Sequence, residues 1–300
     1  MSPFFACVGH ASVDHHFEVD DFAVTPTKTP ASSYGMIAGG MAANAAMALA
    51  RLGAPVRLLG RVGDDAAGAF VRDAVLRCAV DAHLEVVPNS YTSVSSVIVD
   101  RRGERQIYNH RGDALAKAHA LDVRQLQGAQ AVLVDPRWVQ GALAALQWAH
   151  TQGLLGVLDA DIAPHADLQS LVPAAHWAVF SESGLACYAP GARQQDALAS
   201  ALAAGAQVAM VTLGERGVAW MHAAGGGLHT VPAFAVQAQD TTGAGDVFHA
   251  ALTLALCEGM GELAAIRFAS AAAALKCTQR HGVLGTPGRD QVEQFLLQNR

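Results

Sequence analysis

Short apolar runs alternate with helix-length segments along most of the 300-residue chain. Such runs, bounded by polar residues or glycine, are typical of buried strands in a parallel sheet, whose connections are helices that cover both faces. The alternation therefore predicts an α/β fold with a mostly parallel central sheet flanked by helices. The predicted strands are residues 5–9, 56–60, 131–135, 154–159, 177–181 and 208–214. Their carboxyl ends are candidate site positions, because open α/β sheets bind ligands there.

Two segments interrupt this alternation and predict a second, smaller sheet. Residues 91–110 alternate in polarity on both sides of an Arg-Arg-Gly turn, as a β-hairpin does, and residues 17–38 lack a helical pattern. Paired, the two segments would form a lid over the site, at about 15–37 and 89–112. We find no linker, low-complexity run or repeat, and therefore expect a single domain over 1–300. The open alternative is that both segments are ordinary surface loops.

Composition narrows the class of protein. With 52% hydrophobic residues and no run of eighteen consecutive apolar residues, the chain can bury a large core and has no predicted membrane span. The net charge is −6, and the sequence has no basic stripe that would bind nucleic acid or anionic lipid. The five cysteines form no Cys-x-x-Cys pair, and the first residues do not resemble a signal peptide. We therefore expect reduced thiols and a cytoplasmic protein without nucleic-acid or membrane partners.

The stretch DTTGAGDVFHAAL, residues 240–252, places a Gly-Ala-Gly turn directly before an apolar helix. Such a turn directs several backbone N–H groups at one spot, where the helix dipole adds positive charge, and this suits a phosphate. Asp246 would lie in the first helical turn, close enough to take a proton from a hydroxyl that attacks the phosphate. We expect the helix terminus to keep Asp246 ionised at neutral pH. The alternative is an acid that merely favours a helix start after a glycine turn.

A second Gly-rich stretch, AGGMAANAAMALARLG, covers residues 38–53. Gly39 and Gly40 would open a helix of small residues. Asn44 follows one turn later among apolar neighbours, and a buried Asn needs hydrogen-bond partners, which a polyol ligand could supply. The chain has no GxxxxGK[ST] loop and no GxGxxG after a strand, so it does not resemble P-loop or NAD-dependent Rossmann enzymes.

Together, the two Gly-rich stretches resemble the two signatures of the ribokinase-like carbohydrate kinases. The first signature also includes GRVGDDAAG at 60–68, and the likeness covers essentially the whole chain, with VGHASVDHH near the start and VTLGERGV at 211–218. The resemblance implies ATP-dependent transfer of the γ-phosphoryl group to a sugar-type hydroxyl, with Mg²⁺, on a Rossmann-like α/β domain with a β lid. It also implies a homodimer, since lid strands with free edges often pair between subunits in such kinases.

The resemblance also implies roles for individual residues. Asp246 would be the base, and the backbone of Gly243, Ala244 and Gly245 would form an anion hole. The groups expected to hold sugar hydroxyls belong to Asp14, Gly39, Gly40 and Asn44. The residues expected to line the nucleotide are Ser181, Thr212, Gly214, Gly217 and Thr242. Asp240 would help bind a monovalent cation such as K⁺.

One departure from the family pattern concerns the metal. Many members carry Asn-x-x-Glu after the strand that corresponds to 177–181, but here Ser181 and Gly184 stand at those positions. Ketohexokinase-type members also lack the motif, so we interpret the change as a subfamily feature. The nearby acids that could reach Mg²⁺, directly or through water, are Asp159, Asp161 and Glu182. Each is equally compatible with an ordinary acid at a strand end.

Three further stretches, 134–138, 159–164 and 267–282, are similar to the sulfofructose-kinase branch of the family. That branch phosphorylates 6-deoxy-6-sulfofructose, a ketose with a sulfonate at its far carbon. A permanent anion needs cationic or N–H donors away from the phosphate site. Lys28 and Asn109 lie in the predicted lid segments, and Arg137 follows a predicted strand and could bind bidentately. His110 and Arg111 are lesser candidates.

Several other functions remain open at the level of sequence. The enzyme alternatives are a kinase for a neutral ketose or ribose and a kinase for a phosphorylated ketose. A regulator that binds sugar or ATP without catalysis is disfavoured by the intact Asp246 and the glycine turn beside it.

Overall fold

The computed structural model describes residues 3–102, 104–116 and 120–299. In chain order, the strands are β1 (Phe4–Gly9), β2 (Ser12–Glu18), β3 (Ser33–Gly39), β4 (Val56–Gly63), β5 (Asp81–Val87), β6 (Ser93–Val99), β7 (Arg105–His110), β8 (Ala129–Val134), β9 (Leu155–Ala160), β10 (Trp177–Ser181), β11 (Val208–Thr212), β12 (Val218–His222) and β13 (His229–Val231). The helices are α1 (Met41–Arg51), α2 (Ala66–Arg77), α3 (Val139–Thr151), α4 (His165–Leu171), α5 (Glu182–Tyr188), α6 (Gln194–Ala204), α7 (Ala244–Cys257), α8 (Glu262–Cys277) and α9 (Arg289–Gln298).

The larger sheet has the strand order β13-β12-β11-β10-β9-β8-β1-β4-β5. All neighbouring strands from β11 to β5 are parallel, whereas β12 pairs antiparallel with both β11 and β13. Each of the six apolar runs singled out in the sequence coincides with a strand of this sheet. The predicted α/β class and the mostly parallel sheet are therefore confirmed.

Two apolar clusters bury the faces of this sheet. One joins strand residues to α1, α2, α7 and α8, and the other joins alternate strand residues to α3, α4 and α6. Helices thus cover both faces, as buried parallel strands require. Within the described residues, no helix is both long and apolar enough to cross a membrane.

The smaller sheet has the order β3-β2-β6-β7 and contains the predicted hairpin as the antiparallel pair of β6 and β7. The prediction that the two irregular segments form a small β-layer is confirmed. Gly103 of the Arg-Arg-Gly turn and the side chain of Arg105 lie outside the described residues. In this sheet Asp14 pairs with Ser95, which in turn pairs with Asn109. Paired residues share a face, so these side chains lie together.

The two sheets meet at the carboxyl ends of the parallel strands. The chain passes directly from β1 into the smaller sheet and returns from β3 into α1, which packs against both β1 and α7. The starts of α1 and α7, where the two Gly-rich stretches lie, are thereby brought to the same edge of the central sheet.

Candidate active site

A cleft of about 480 Å³ lies between the smaller sheet and the carboxyl edge of the central sheet. Predicted sugar-contacting residues in its wall are Asp14, Gly40, Asn44, Asn109 and Arg137. Predicted catalytic, nucleotide or metal residues in the same wall are Asp161, Thr242, Gly243 and Asp246. The fold thus brings together residues that are far apart in the sequence.

The predicted phosphate-binding turn is built by the backbone of Gly243. This residue adopts a left-handed conformation, φ 78°, which glycine tolerates, and it caps α7 without any side-chain hydrogen bond. Ala244, Gly245 and Asp246 follow as the first turn of the helix, whose N–H groups have no intrahelical acceptors. A helix N-terminus left open in this way at a cleft is suited to bind an anion.

Asp246 is held by a residue of the other Gly-rich stretch. The Nδ2 of Asn44 in α1 donates to Oδ2 of Asp246 over 2.7 Å. Both residues are half-buried in the cleft wall. The expectation that Asn44 needs a buried partner is met by the chain itself, and the amide orients the carboxylate.

The helix terminus does not leave the carboxyl of Asp246 with an ordinary acidic pKa in the ligand-free chain. Burial raises the pKa of Asp246 well above its usual value, and the nearby charge of Asp159 raises it further. The hydrogen bond from Asn44 acts in the opposite direction but does not restore the usual pKa. Removing a carboxylate from water therefore outweighs the favourable helix terminus.

Asp14 lies on the small sheet where that sheet approaches α1. Burial raises the pKa of Asp14, and hydrogen bonds to Ser95 and Ser12 oppose the rise. Gly39, the last residue of β3, lies against it: a Cβ atom at Gly39 would lie only 2.2 Å from Oδ2 of Asp14. Gly39 is therefore required by the close approach of the Asp14 carboxylate, and Gly40 follows as the N-cap of α1.

Arg137 presents a hydrogen-bond donor that the described chain leaves without an acceptor. Its Nη1 is buried and has no partner among the described residues, although the side chain lines the cleft. Arg111 and Asn109 line the same region, and Nδ2 of Asn109 donates to Oγ of Ser95 over 3.1 Å. An unpaired guanidinium N–H is costly to bury, so an acceptor from a ligand would be favourable here.

His10 is a cleft residue that the sequence analysis missed. Burial, followed by the charges of Arg137 and Arg111, lowers its pKa to about 3, so the imidazole is neutral at physiological pH. Its Nε2 is also buried and unpartnered in the described part of the chain. The signal was available, because His10 directly follows the predicted strand 5–9.

Asp135 is a second residue that the sequence analysis missed, and its carboxylate joins three segments of the chain that meet at the cleft. Its Oδ2 accepts hydrogen bonds from the backbone N–H of His10 and of Ala42, at 2.7 and 3.0 Å, while Oδ1 accepts from the backbone N–H of Arg137 at 2.8 Å. One buried carboxylate thus fixes the ends of β1 and β8 and the first turn of α1. Its position at the end of a predicted strand, in AVLVD, was the only signal.

The predicted metal residues have different environments. Asp161 lines the cleft, and Oγ of Ser181 donates to its Oδ1 over 2.6 Å. Asp159 is buried behind it, and burial, followed by the charges of Asp161 and Asp135, raises the pKa of Asp159 well above its usual value. Glu182 is exposed and binds Arg216 through both carboxylate oxygens, at 2.6 and 2.7 Å.

No group of three or more His, Cys, Asp and Glu side chains that could hold a metal ion occurs in the described ranges. Mg²⁺ in kinases is commonly bound by one or two carboxylates together with substrate phosphates and water. Asp161 fits this requirement, since it is the predicted metal residue that lines the cleft. It could therefore hold Mg²⁺ once nucleotide phosphates supply the other ligands.

The predicted nucleotide residues continue along the edge of the sheet. Ser181 and Thr212 are paired in neighbouring strands, at the ends of β10 and β11. Gly214 and Gly217 lie in the turn that follows β11. This places them beside Ser181 rather than in the cleft that contains Asp14.

Lys28 lies away from these residues. It is exposed, and it is not among the residues that line the cleft. Its neighbours Thr27 and Thr29 line a different cavity with Phe17 and Tyr108. The side chains of Phe17 and Tyr108 lie on the face of the small sheet opposite Asp14, because strand residues alternate between the two faces.

Asp240, the predicted cation ligand, is satisfied within the chain. Its Oδ1 accepts from the backbone N–H of Thr242 and its Oδ2 from that of Gly282, both at 2.8 Å. The Nζ of Lys276 donates to the backbone oxygen of Asp240 over 2.7 Å and lies 3.5 Å from Oδ2. The sequence analysis assigned no role to Lys276.

Comparison with known proteins agrees with the fold and identifies the family. The model of the pfkB family carbohydrate kinases matches residues 2–287. The ribokinase of Bacillus subtilis is 30% identical over 289 residues, which cover 92% of this chain and 96% of that protein. A crystal structure of a ribokinase candidate from Agrobacterium tumefaciens superposes with a TM-score of 0.94 at 36% identity, covering 99% of this chain and 98% of that one. Arabidopsis thaliana ribokinase with ribose and ATP gives a TM-score of 0.85 at 26% identity, over 99% of both chains.

Proposed function

The chain belongs to the pfkB family of carbohydrate kinases, and we propose that it transfers the γ-phosphoryl group of ATP to the C1 hydroxyl of 6-deoxy-6-sulfofructose. The observation that carries the choice of sugar is the buried, unpartnered Nη1 of Arg137 in the cleft wall, within the described residues. The membership of the family supports the kinase activity, and Arg137 supports an anionic sugar.

Phosphoryl transfer would take place between the starts of α1 and α7. The N–H groups of the first turn of α7 would bind the γ-phosphate and stabilise the charge that develops on it. Asp246, oriented by Asn44, would accept the proton of the sugar hydroxyl. Its raised pKa makes the carboxylate a stronger proton acceptor than an ordinary Asp. Mg²⁺ held by Asp161 and the nucleotide phosphates would neutralise phosphate charge.

The distal sulfonate would lie against the opposite part of the cleft. Arg137 would donate to it from its unpaired Nη1, with Arg111 adding positive charge and Nδ2 of Asn109 a neutral donor. A guanidinium suits this role because its fork of donors matches two oxygens of one anion. Neutral His10 would contribute its unpartnered Nε2 to a hydroxyl or a sulfonate oxygen.

Phosphorylation of a neutral sugar such as ribose is the second candidate. It is supported by two ribokinases, from B. subtilis and A. thaliana, that are 30% and 26% identical to this chain. A phosphorylated ketose is the third, because a phosphate and a sulfonate present similar oxygen acceptors to Arg137. Removing the guanidinium should impair either anionic sugar and spare a neutral one, and the preference among the sugars distinguishes a sulfonate from a phosphate.

The test is an ADP-release assay with MgATP on sulfofructose, fructose, fructose 6-phosphate, tagatose 6-phosphate and ribose at equal concentration. We expect sulfofructose to be preferred, and Arg137→Met to lower its kcat/KM by about 30-fold or more while changing the value for fructose little. Arg137→Lys should recover only part of the loss, because lysine lacks the fork. A preference for ribose or fructose that survives Arg137→Met would reject the anionic sugar, and a preference for a sugar phosphate would select the third candidate.

Lys28→Ala in the same assay decides the role of the exposed lid lysine. A selective loss on sulfofructose would assign Lys28 to the anion and require the segment around it to move toward the cleft. Unchanged kinetics would leave Arg137 as the principal cation for the sulfonate.

We further propose that residues 1–300 act as one domain, in the cytoplasm, as a homodimer. The cleft takes side chains from both sheets, which supports a single functional unit. The outer strand β3 has a free edge with exposed Tyr34 and Met36, which supports pairing with a second copy. Light scattering of the purified protein would measure the mass, and a monomer at micromolar concentration would reject the dimer.

A further inference from the structure

Lys276 is a lysine whose side chain is 0% exposed, in the last turn of α8. A buried ammonium is unfavourable unless the chain pairs it and satisfies its hydrogen bonds. Here the partner is Asp240, through both its backbone oxygen at 2.7 Å and its Oδ2 at 3.5 Å. Asp240 is the residue for which the family resemblance predicts a monovalent cation.

The donor set around Asp240 does not fit an additional K⁺. Both carboxylate oxygens already accept backbone N–H groups, from Thr242 and Gly282, and the ammonium contacts the backbone oxygen. Burial opposes ionisation of Asp240, yet these two hydrogen bonds and the charge of Lys276 lower its pKa below the usual value. A second cation beside the ammonium would be repelled by it at short range.

The ammonium lies beneath the segment that leads to the phosphate-binding turn. The backbone N–H groups of Gln239 and Asp240 both donate to the carbonyl of Cys277, the residue after Lys276, at 2.7 and 3.1 Å. Asp240 in turn holds Thr242, which directly precedes Gly243. The ammonium therefore stabilises the loop that leads to the N–H groups proposed to bind the phosphate.

We infer that the ammonium of Lys276 takes the place of a monovalent cation beside Asp240, so that this kinase works without K⁺. The inference rests on membership of the family and on these contacts. It does not depend on which sugar is phosphorylated.

The first test uses the wild-type protein without ligands. Thermal unfolding is compared in potassium, sodium and tetramethylammonium chloride at equal ionic strength, since tetramethylammonium is too large for a buried site. We expect melting temperatures that agree within about 1 °C and no heat of K⁺ binding by calorimetry. A saturable rise in melting temperature that is specific to K⁺ would overturn the inference, even if no sugar in the panel were phosphorylated.

The second test measures turnover on the sugar selected by the substrate assay. The wild type should keep its kcat within about twofold when tetramethylammonium replaces K⁺. A loss of about tenfold or more on removing K⁺ would overturn the inference. If the proposed substrate is wrong, the same comparison is made with whichever sugar is phosphorylated, so the two failures remain distinguishable.

A variant of Lys276 tests whether its ammonium is what removes the need for K⁺. Lys276→Met keeps roughly the length of the side chain and removes its charge, and it frees the backbone oxygen of Asp240 for a cation. We expect its turnover to fall in tetramethylammonium and to recover in part in KCl, which would be a new dependence on K⁺. Arg267→Met, on the same helix, should show neither effect, because Arg267 contacts the backbone of Asn299 instead. Wild-type turnover of Lys276→Met without K⁺ would overturn the inference, and if this variant does not fold, the wild-type salt series decides.

Discussion

The side-chain amide of Asn44 and the carboxylate of Asp246 are joined by a 2.7 Å hydrogen bond between residues 202 positions apart in the sequence. The bond connects the first turn of α1 to that of α7, and so it links the two Gly-rich stretches directly. It uses one acceptor site of Oδ2, and the carboxylate keeps further acceptor sites for a sugar hydroxyl. The proposed base and the proposed phosphate site thus depend on the same pair of helices.

Asp246→Asn should abolish most of the turnover while leaving binding nearly intact. The amide keeps the volume of the carboxylate but cannot accept the hydroxyl proton, and a general base contributes about 10²–10⁴-fold to the rate. Single-turnover kinetics would measure the chemical step, and calorimetry the affinities for ATP and sugar. Turnover close to wild type would show that Asp246 is not the base and that the hydroxyl loses its proton to another group.

The same variant should be more stable than the wild type at neutral and alkaline pH. Folding raises the pKa of Asp246 above its unfolded value of about 3.9. Ionisation in the folded chain therefore reduces stability, and this penalty is absent below the unfolded pKa and complete once the pH exceeds the raised pKa. Asparagine carries no such penalty, so the advantage of the variant should grow from about pH 4 upward, by about 1.4 kcal/mol per unit of pKa shift.

Urea unfolding of the ligand-free proteins at a series of pH values would measure this difference in the free energy of unfolding. The comparison between the two proteins removes the contribution of titrating groups that do not interact with Asp246, whereas Asp159 is coupled to Asp246 and its contribution changes with the substitution. A variant that is less stable than the wild type at pH 8, or equally stable at every pH, would contradict a raised pKa at Asp246.

Asn44→Ala should shift the acidic limb of the rate profile to higher pH. The hydrogen bond from Asn44 lowers the pKa of Asp246, so its loss leaves burial and Asp159 to raise that pKa further. The base would then be protonated over more of the pH range, and kcat would fall most at low pH. Asn109→Ala is the matched control, since it removes a cleft amide that bonds to Ser95 instead. If the KM for the sugar rises while the acidic limb of the pH–rate profile stays in place, Asn44 binds the sugar but does not lower the pKa of Asp246.

Local patterns were sufficient to predict both sheets of the fold. Six apolar runs predicted parallel strands, and the alternation in 91–110 predicted the hairpin of β6 and β7. The carboxyl ends of parallel strands share one edge of a sheet. The stretches 38–53 and 240–252 are linked instead by their resemblance to two signatures of one kinase family, because Asn44 and Asp246, which meet in the structure, lie at helix starts and not at the ends of these parallel strands.

The features that could not be predicted depend on burial and on contacts between distant segments. Asp246 lies at a helix start, which favours its ionised form, but the extent of its burial and the nearness of Asp159 follow only from the fold. Lys28 was assigned from its segment, whereas its orientation depends on which face of the sheet that segment covers. No local pattern distinguishes Lys276 from other lysines in helices, and its contact with Asp240 depends on how α8 packs in the fold.

Gly39→Ala should raise the KM for the sugar by about tenfold or more and leave the KM for ATP unchanged. The added Cβ would lie 2.2 Å from Oδ2 of Asp14, so that carboxylate must move from its place in the cleft. Gly35→Ala is the control, because Gly35 lies on the same strand four residues earlier, and no described atom lies within 4 Å of its added Cβ. Both changes add one methyl group to β3, and therefore an equal loss in the two variants would indicate an effect on the strand itself. Steady-state kinetics with each substrate varied in turn would separate the outcomes, and an unchanged sugar KM in Gly39→Ala would mean that Asp14 does not hold the sugar.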